Sequence, residues 1–186
     1  MAVQYLPADC APAVLGFWFD EVGRDRWFAK DPALDRRVRD RLGTLRDALI
    51  ASKAEAWRDT PDHLLAAIIL LDQFSRNIHR DSAKAFAADP LALELALLGL
   101  DRGWDAQVTA EQRQFLIMPL MHSEVLAVQD RALVEFVKLG DANALAFAKR
   151  HHDQIARFGR FPGRNAALGR RTTPQEQDAL DSGAAF

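Results

Sequence analysis

Apolar residues recur at three- and four-residue intervals along most of the chain, the spacing of amphipathic α-helices. After Asp31, the positions Leu34, Val38, Leu42, Leu45 and Leu49 form one stripe, with charged residues on the remaining faces. Leu91, Leu95 and Leu98 repeat the pattern after Asp89 as far as Gly103. After Asp141 the positions Phe147, His151, Ile155 and Phe158 carry it to Gly159, which is placed to take a left-handed conformation at a helix end. The run Leu64 to Leu71 is apolar throughout. A bilayer-spanning helix needs roughly 20 such residues, so this run predicts a helix buried on nearly every side. No segment alternates with a period of two, and no hairpin dipeptide separates apolar runs, so the predicted class is all-α.

Punctuation supports the same reading. Asp31-Pro32, Thr60-Pro61, Asp89-Pro90 and Thr173-Pro174 each place a capping side chain before a proline, whose missing amide hydrogen costs nothing at the first helical position. Thr109 with Gln112 and Thr173 with Glu176 add two capping boxes. The first three pairs start at 31, 60 and 89, equal steps that fit a helical-hairpin array, although the residue pattern of tetratricopeptide units is absent. Loops are expected near 20–30 and 159–173. No linker divides the chain, so residues 1–186 are read as a single compact domain.

Composition narrows the function classes. Of 186 residues, 49% are hydrophobic and 27% charged, which excludes disordered and low-complexity classes. The net charge of -2 disfavours nucleic acid as a partner, and the missing apolar span disfavours a membrane. A single cysteine, Cys10, allows neither an internal disulfide nor a thiolate metal cluster. With no signal-peptide pattern, the expected location is cytoplasmic.

Two segments hold more polar chemistry than helix surfaces require. The buried run continues into Asp72-Gln73-Phe74-Ser75-Arg76-Asn77-Ile78-His79-Arg80, where Asp72, Arg76, His79 and Arg80 share one helical face and Asp72 precedes Arg76 by four residues. This is either a solvated face with weak ion pairs or a core helix that delivers arginines to a pocket, with Asp72 holding Arg76. Between Lys149 and Arg171 seven basic residues face one acidic residue, Asp153. Phe158 and Phe161 interleave with the arginines there, so the segment could hold an anion. His151 lies on an apolar stripe, the setting of a core histidine. His122 and Glu124 are two apart and diverge on a regular helix unless Pro119 distorts it. There is no short-spaced ligand pair for a metal, no nucleophile elbow and no phosphate loop, so no metal or cofactor is expected. Trp18, Trp27, Trp57 and Trp104, with Phe17, Phe19 and Phe28, are read as core residues that lock helices together.

Four stretches taken in order carry a family resemblance: Val14 to Phe19, Leu71 to Ile78, Met118 to Glu124, and Arg157 to Asn165 followed by Leu168 to Glu176. Together they resemble the bacterial domain-of-unknown-function 924 family over most of the chain. The resemblance implies an all-α fold of the tetratricopeptide-like superfamily and no established activity. It also marks Asp72, Gln73, Arg76 and Asn77 in the first motif and His122 and Glu124 in the second. In the third it marks His151, Arg157, Arg160, Arg164 and Asn165. The family commonly reads Phe-Pro-His-Arg-Asn where this chain has Phe161-Pro162-Gly163-Arg164-Asn165, so a role that needs that histidine is not available here.

The expected function is a helical binding protein whose Arg-, His- and Asp-lined pocket takes an anionic small molecule or an acidic peptide group. The candidate ligand-binding residues are Asp72, Gln73, Arg76, Asn77, Arg157, Arg160, Arg164 and Asn165. The alternative is an enzyme in which His122 or His151 transfers protons, Glu124 or Asp72 orients it, and arginines offset negative charge.

Overall fold

The computed structural model describes residues 6–185, and among them there is no strand. Eight α-helices follow one another: α1 (Pro7–Gly16), α2 (Pro32–Ala51), α3 (Pro61–Ile78), α4 (Asp89–Asp101), α5 (Ala110–Met121), α6 (Leu126–Leu139), α7 (Ala142–Phe158) and α8 (Pro174–Asp181). From α2 to α7 each helix packs on the next, and α3 also packs against α1 and α5. That succession is compatible with an array of helical hairpins. None of the helices is long and apolar enough to cross a membrane.

The caps explain most boundaries. Asp31 accepts from the amides of Ala33 and Leu34, Thr60 from His63, and Asp141 from Ala144. Both capping boxes are present. At α4 the start moves by one residue: Ala88 occupies the cap position and Asp89 is already helical, which frees its carboxylate for other partners. The segment near 20–30 is also more ordered than a loop, since Phe17–Val22 continues α1 as a π-helical turn and Arg24–Arg26 forms a 3-10 turn.

Helix α3 is the central element, because its apolar run leaves no face for solvent: Leu64 to Leu71 are all buried. The buried residues continue through Asp72, Gln73, Phe74 and Ser75, so the polar residues of its last turns enter the interior on the same helix. Gly99 lets α4 approach closely, since a Cβ there would lie 2.7 Å from Leu64 Cδ2. Phe17, Trp18, Trp27, Phe74 and Phe115 form an aromatic cluster joined by edge contacts such as Trp18 to Phe74 at 5.3 Å and Trp27 to Phe115 at 4.8 Å. Each such pair adds about 1 kcal/mol beyond its buried area.

Two aromatic assignments change. Phe28 is 63% exposed although it stacks on Phe115, and Phe147 is 53% exposed. The buried face of α7 instead runs through Ala144, Ala148 and Ile155, because small residues there allow close helix packing and turn Phe147 outward.

Candidate functional site

The site begins at the end of α5. Pro119 lies in its last turn, the helix stops at Met121, and His122 to Glu124 form a turn off its end. The last carbonyls of a helix lack intrahelical donors. Gln129 of α6, fully buried, supplies them by donating to Met121 O at 2.8 Å and Ser123 O at 2.6 Å. Because the turn is no longer helical, His122 and Glu124 serve different partners without a distorted helix between them.

His122 Nδ1 lies 2.7 Å from Asp72 Oδ1. Asp72 is buried, with 1% of its side chain exposed, and the same oxygen is 3.0 Å from Arg76 Nη1. Its other oxygen accepts from the Gln73 amide. Burial opposes the carboxylate charge, but Arg76 and His122 outweigh it and hold Asp72 far below the usual carboxylate range. Burial is also the largest influence on His122 and lowers its pKa despite the neighbouring carboxylate. At neutral pH the ring is therefore neutral. An ionised carboxylate can only accept, so Nδ1 carries the proton and Nε2 presents a lone pair. Among the described residues Nε2 has no hydrogen-bond partner.

Arg76 also meets Asp89 through two hydrogen bonds of 3.2 and 3.1 Å, and donates to the Asp72 carbonyl at 2.7 Å. Its two carboxylate neighbours raise its pKa against the effect of burial. Arg164 completes the cluster: it reaches Asp89 Oδ2 at 3.1 Å and the His122 carbonyl at 2.9 Å, with its guanidinium 4.6 Å from the Phe86 ring centre and 4.5 Å from that of Phe161. The ring of His151 lies 5.7 Å from that of His122 and 5.4 Å from that of Phe161. Its Nδ1 lies 2.8 Å from the Phe147 carbonyl, to which it donates. Burial, with His122 close by, pushes its pKa down to about 3.

His122 borders two recesses. The first, about 430 Å³, is lined by apolar groups including Trp27, Phe28, Met118, Met121 and Phe147, and by Gln73, Arg76, Gln114, Asn143 and His151. The second, about 420 Å³, has Phe86, Leu93 and Leu168 in its wall with Asp89, Glu124 and Arg164. Among the described residues no group of three or more His, Cys, Asp or Glu side chains is arranged to hold a metal ion.

The structure thus brings together Asp72, Gln73, Arg76, His122, His151 and Arg164, with Glu124 beside them. It sends the other predicted residues elsewhere. Asn77 and Arg80 both bind Asp35 of α2, and His79 faces Arg46. Arg160 forms a two-pronged pair with Glu176 and donates to the Arg171 carbonyl, while the Asn165 amide faces the same Glu176. These contacts tie α8 to the loop before it. Arg157 is exposed, its guanidinium 4.7 Å from the ring centre of Phe158. Glu124 accepts from Arg170 and from the Phe161 amide, so it braces the same loop. Gly163 is exposed and lines neither recess.

Sequence reasoning missed Asp89, the carboxylate shared by Arg76 and Arg164, because an aspartate before proline reads as a cap. It also missed Gln114 and Asn143, which carry no sequence signal, and the exposure of Phe28 and Phe147.

Comparison with known proteins agrees with the fold. A protein of unknown function from Agrobacterium tumefaciens has a solved structure that is 38% identical, with a TM-score of 0.89 over 95% of this chain and 99% of that one. Among curated proteins the comparison found no match. The family described as bacterial proteins of unknown function, DUF924, has a model that matches residues 14–184, and the chain belongs to that family.

Proposed function

We propose that the first recess is the active site of an enzyme acting on a small organic molecule, with His122 as the general base. The supporting observation is the Asp72–His122 pair at the wall of a partly apolar recess. Asp72 holds the imidazole in the tautomer that leaves Nε2 as acceptor, and it stabilises the imidazolium formed when Nε2 takes a proton. Arg76 keeps Asp72 ionised, and Gln73 fixes the orientation of the carboxylate. His151 adds a second neutral imidazole at the same wall.

The competing reading, a binding protein for an anionic small molecule or acidic peptide, draws support from Arg76 in the recess wall. Against it stand Asp72 and Asp89, which already engage that guanidinium. The fold reading extends to a tetratricopeptide-like hairpin array, supported by the successive packing of α2 to α7. A cytoplasmic location is supported by the single thiol of Cys10.

Hydrolysis of nitrophenyl acetate, a neutral aromatic ester, tests the proton-acceptor role. We expect saturable turnover that is flat at neutral pH, falls only in the acid range below the ordinary histidine value because burial lowers the His122 pKa, and disappears in folded His122→Gln. A rate unchanged by that substitution overturns the proposal.

A further inference from the structure

The first recess has an unusual distribution of charge. Arg76 is met by Asp72 and Asp89, and Asp89 is met in turn by Arg164. Arg24, at the wall, is met by Asp141 at 3.3 Å and Glu111 at 3.4 Å. Each guanidinium bordering the recess therefore already has two carboxylate partners, and each of these carboxylates has a guanidinium partner. His122 and His151 add no charge at neutral pH, since burial favours their neutral forms. Arg76 and Arg164 balance Asp72 and Asp89 two against two, so a charged ligand at this inner wall would find no spare counter-charge and would lose its hydration. The one carboxylate charge left over lies at Arg24, which two carboxylates share at the exposed rim.

What the wall does offer is uncharged. Gln114 and Asn143 bring two amides whose side chains make no hydrogen bond among the described residues, and His122 brings an acceptor at Nε2. The remaining lining is apolar and soft: Trp27, Phe28, Met118, Met121, Ala144 and Phe147. Phe28 and Phe147 stay largely exposed at this wall, a cost that a bound ring would relieve by covering them. Methionine sulfur and aromatic faces both favour a flat aromatic partner. The volume of about 430 Å³ is ample for a one- or two-ring molecule.

We infer that the recess takes an electrically neutral, aromatic-bodied small molecule whose hydroxyl or N–H group donates to His122 Nε2 and whose uncharged polar end meets Gln114 and Asn143. This deepens the general-base reading by naming the substrate class, and it rests on that reading only for the hydrogen bond to His122. The neutrality follows independently from the balanced charges of Arg76, Arg164, Asp72 and Asp89 at the inner wall.

The test uses the full chain and one matched set of probes: naphthol, its methyl ether, naphthamide, naphthoate, naphthyl phosphate and naphthylmethylammonium. Binding is followed by saturation-transfer NMR and by the shift in melting midpoint. Naphthol and naphthamide are expected to bind about tenfold or more tightly than either anion or the cation. Gln114→Lys, which adds one positive charge at the wall, should move the preference towards naphthoate in a protein of unchanged melting midpoint. The inference is overturned if naphthoate or naphthyl phosphate binds the wild type as tightly as naphthamide, if the cation does so, or if no member of the set binds. Should the neutral preference hold while naphthol and its methyl ether bind alike in both wild type and His122→Gln, the charge inference stands and the role of His122 falls.

Discussion

His122 and Asp72, 50 residues apart in the chain, meet through a 2.7 Å hydrogen bond in which the imidazole donates from Nδ1 and the buried carboxylate accepts. The pair decides where the imidazole proton sits. Nitrogen-15 NMR of histidine-labelled protein at neutral pH should show His122 protonated at Nδ1 and unprotonated at Nε2. In Asp72→Asn the side-chain oxygen can still accept, but Arg76 loses one of its two carboxylates and His122 loses its counter-charge. The His122 pKa should fall further, and urea denaturation should show a loss of about 3 kcal/mol, the scale for breaking a buried pair from one side. An Nε2-protonated His122 in the wild type would contradict the assignment.

Gln129 holds the turn that carries His122 by donating to the carbonyls of Met121 and Ser123. Gln129→Met keeps the length of the side chain and removes both donors, leaving two carbonyls at a helix end without partners. We expect a destabilisation of about 1–3 kcal/mol in chemical denaturation, together with a displaced His122 ring signal. A stability loss that leaves the His122 signal in place would show that Gln129 supports the core without positioning the site.

His151 gives the fold a pH dependence of known sign. Its pKa is lowered from an ordinary 6.5 to about 3 in the folded chain, so the unfolded chain binds the proton more readily between those values. The contribution to stability is fully present above pH 6.5 and is lost as pH falls towards about 3. Carboxylates such as Glu124, whose pKa is lowered against burial by Arg170, add a loss of the same sign at the acid end. Urea denaturation across this range should therefore show the wild type losing stability relative to His151→Gln as the pH drops. A constant difference between the two proteins would contradict a neutral, half-buried imidazole.

Arg160 should separate from the recess in experiment. Its guanidinium holds Glu176, whose pKa is drawn to about 2 chiefly by that hydrogen bond. Arg160→Ala is expected to raise the Glu176 pKa and to increase hydrogen exchange along α8 and the loop before it. Naphthamide binding should be unaffected. Loss of probe binding without a change in α8 would place Arg160 in the site instead.

Much of the fold was legible because its determinants are local. A capping hydroxyl acts on an amide three residues away, a proline restricts its own residue and its neighbour, and an apolar stripe repeats within a few turns. Thr60, Thr109 and Thr173 cap their helices, and Leu34, Val38, Leu42, Leu45 and Leu49 are all buried. Part of the site was legible too: Asp72 lies four residues before Arg76, and that spacing alone brings the two side chains together.

Tertiary structure decided the rest, because partner choice among like side chains depends on distances that sequence spacing does not encode. Four arginines from 157 to 170 look alike in the chain. One lies exposed against Phe158, one clamps Glu176, one joins Asp89 and one braces Glu124. Asp89 could be seen as a shared carboxylate only after α3, α4 and the loop after α7 were placed side by side. The amino-acid order thus determined the helices, their caps and the depth of α3. The packing determined which charges cancel, and so which wall of the molecule carries neutral chemistry.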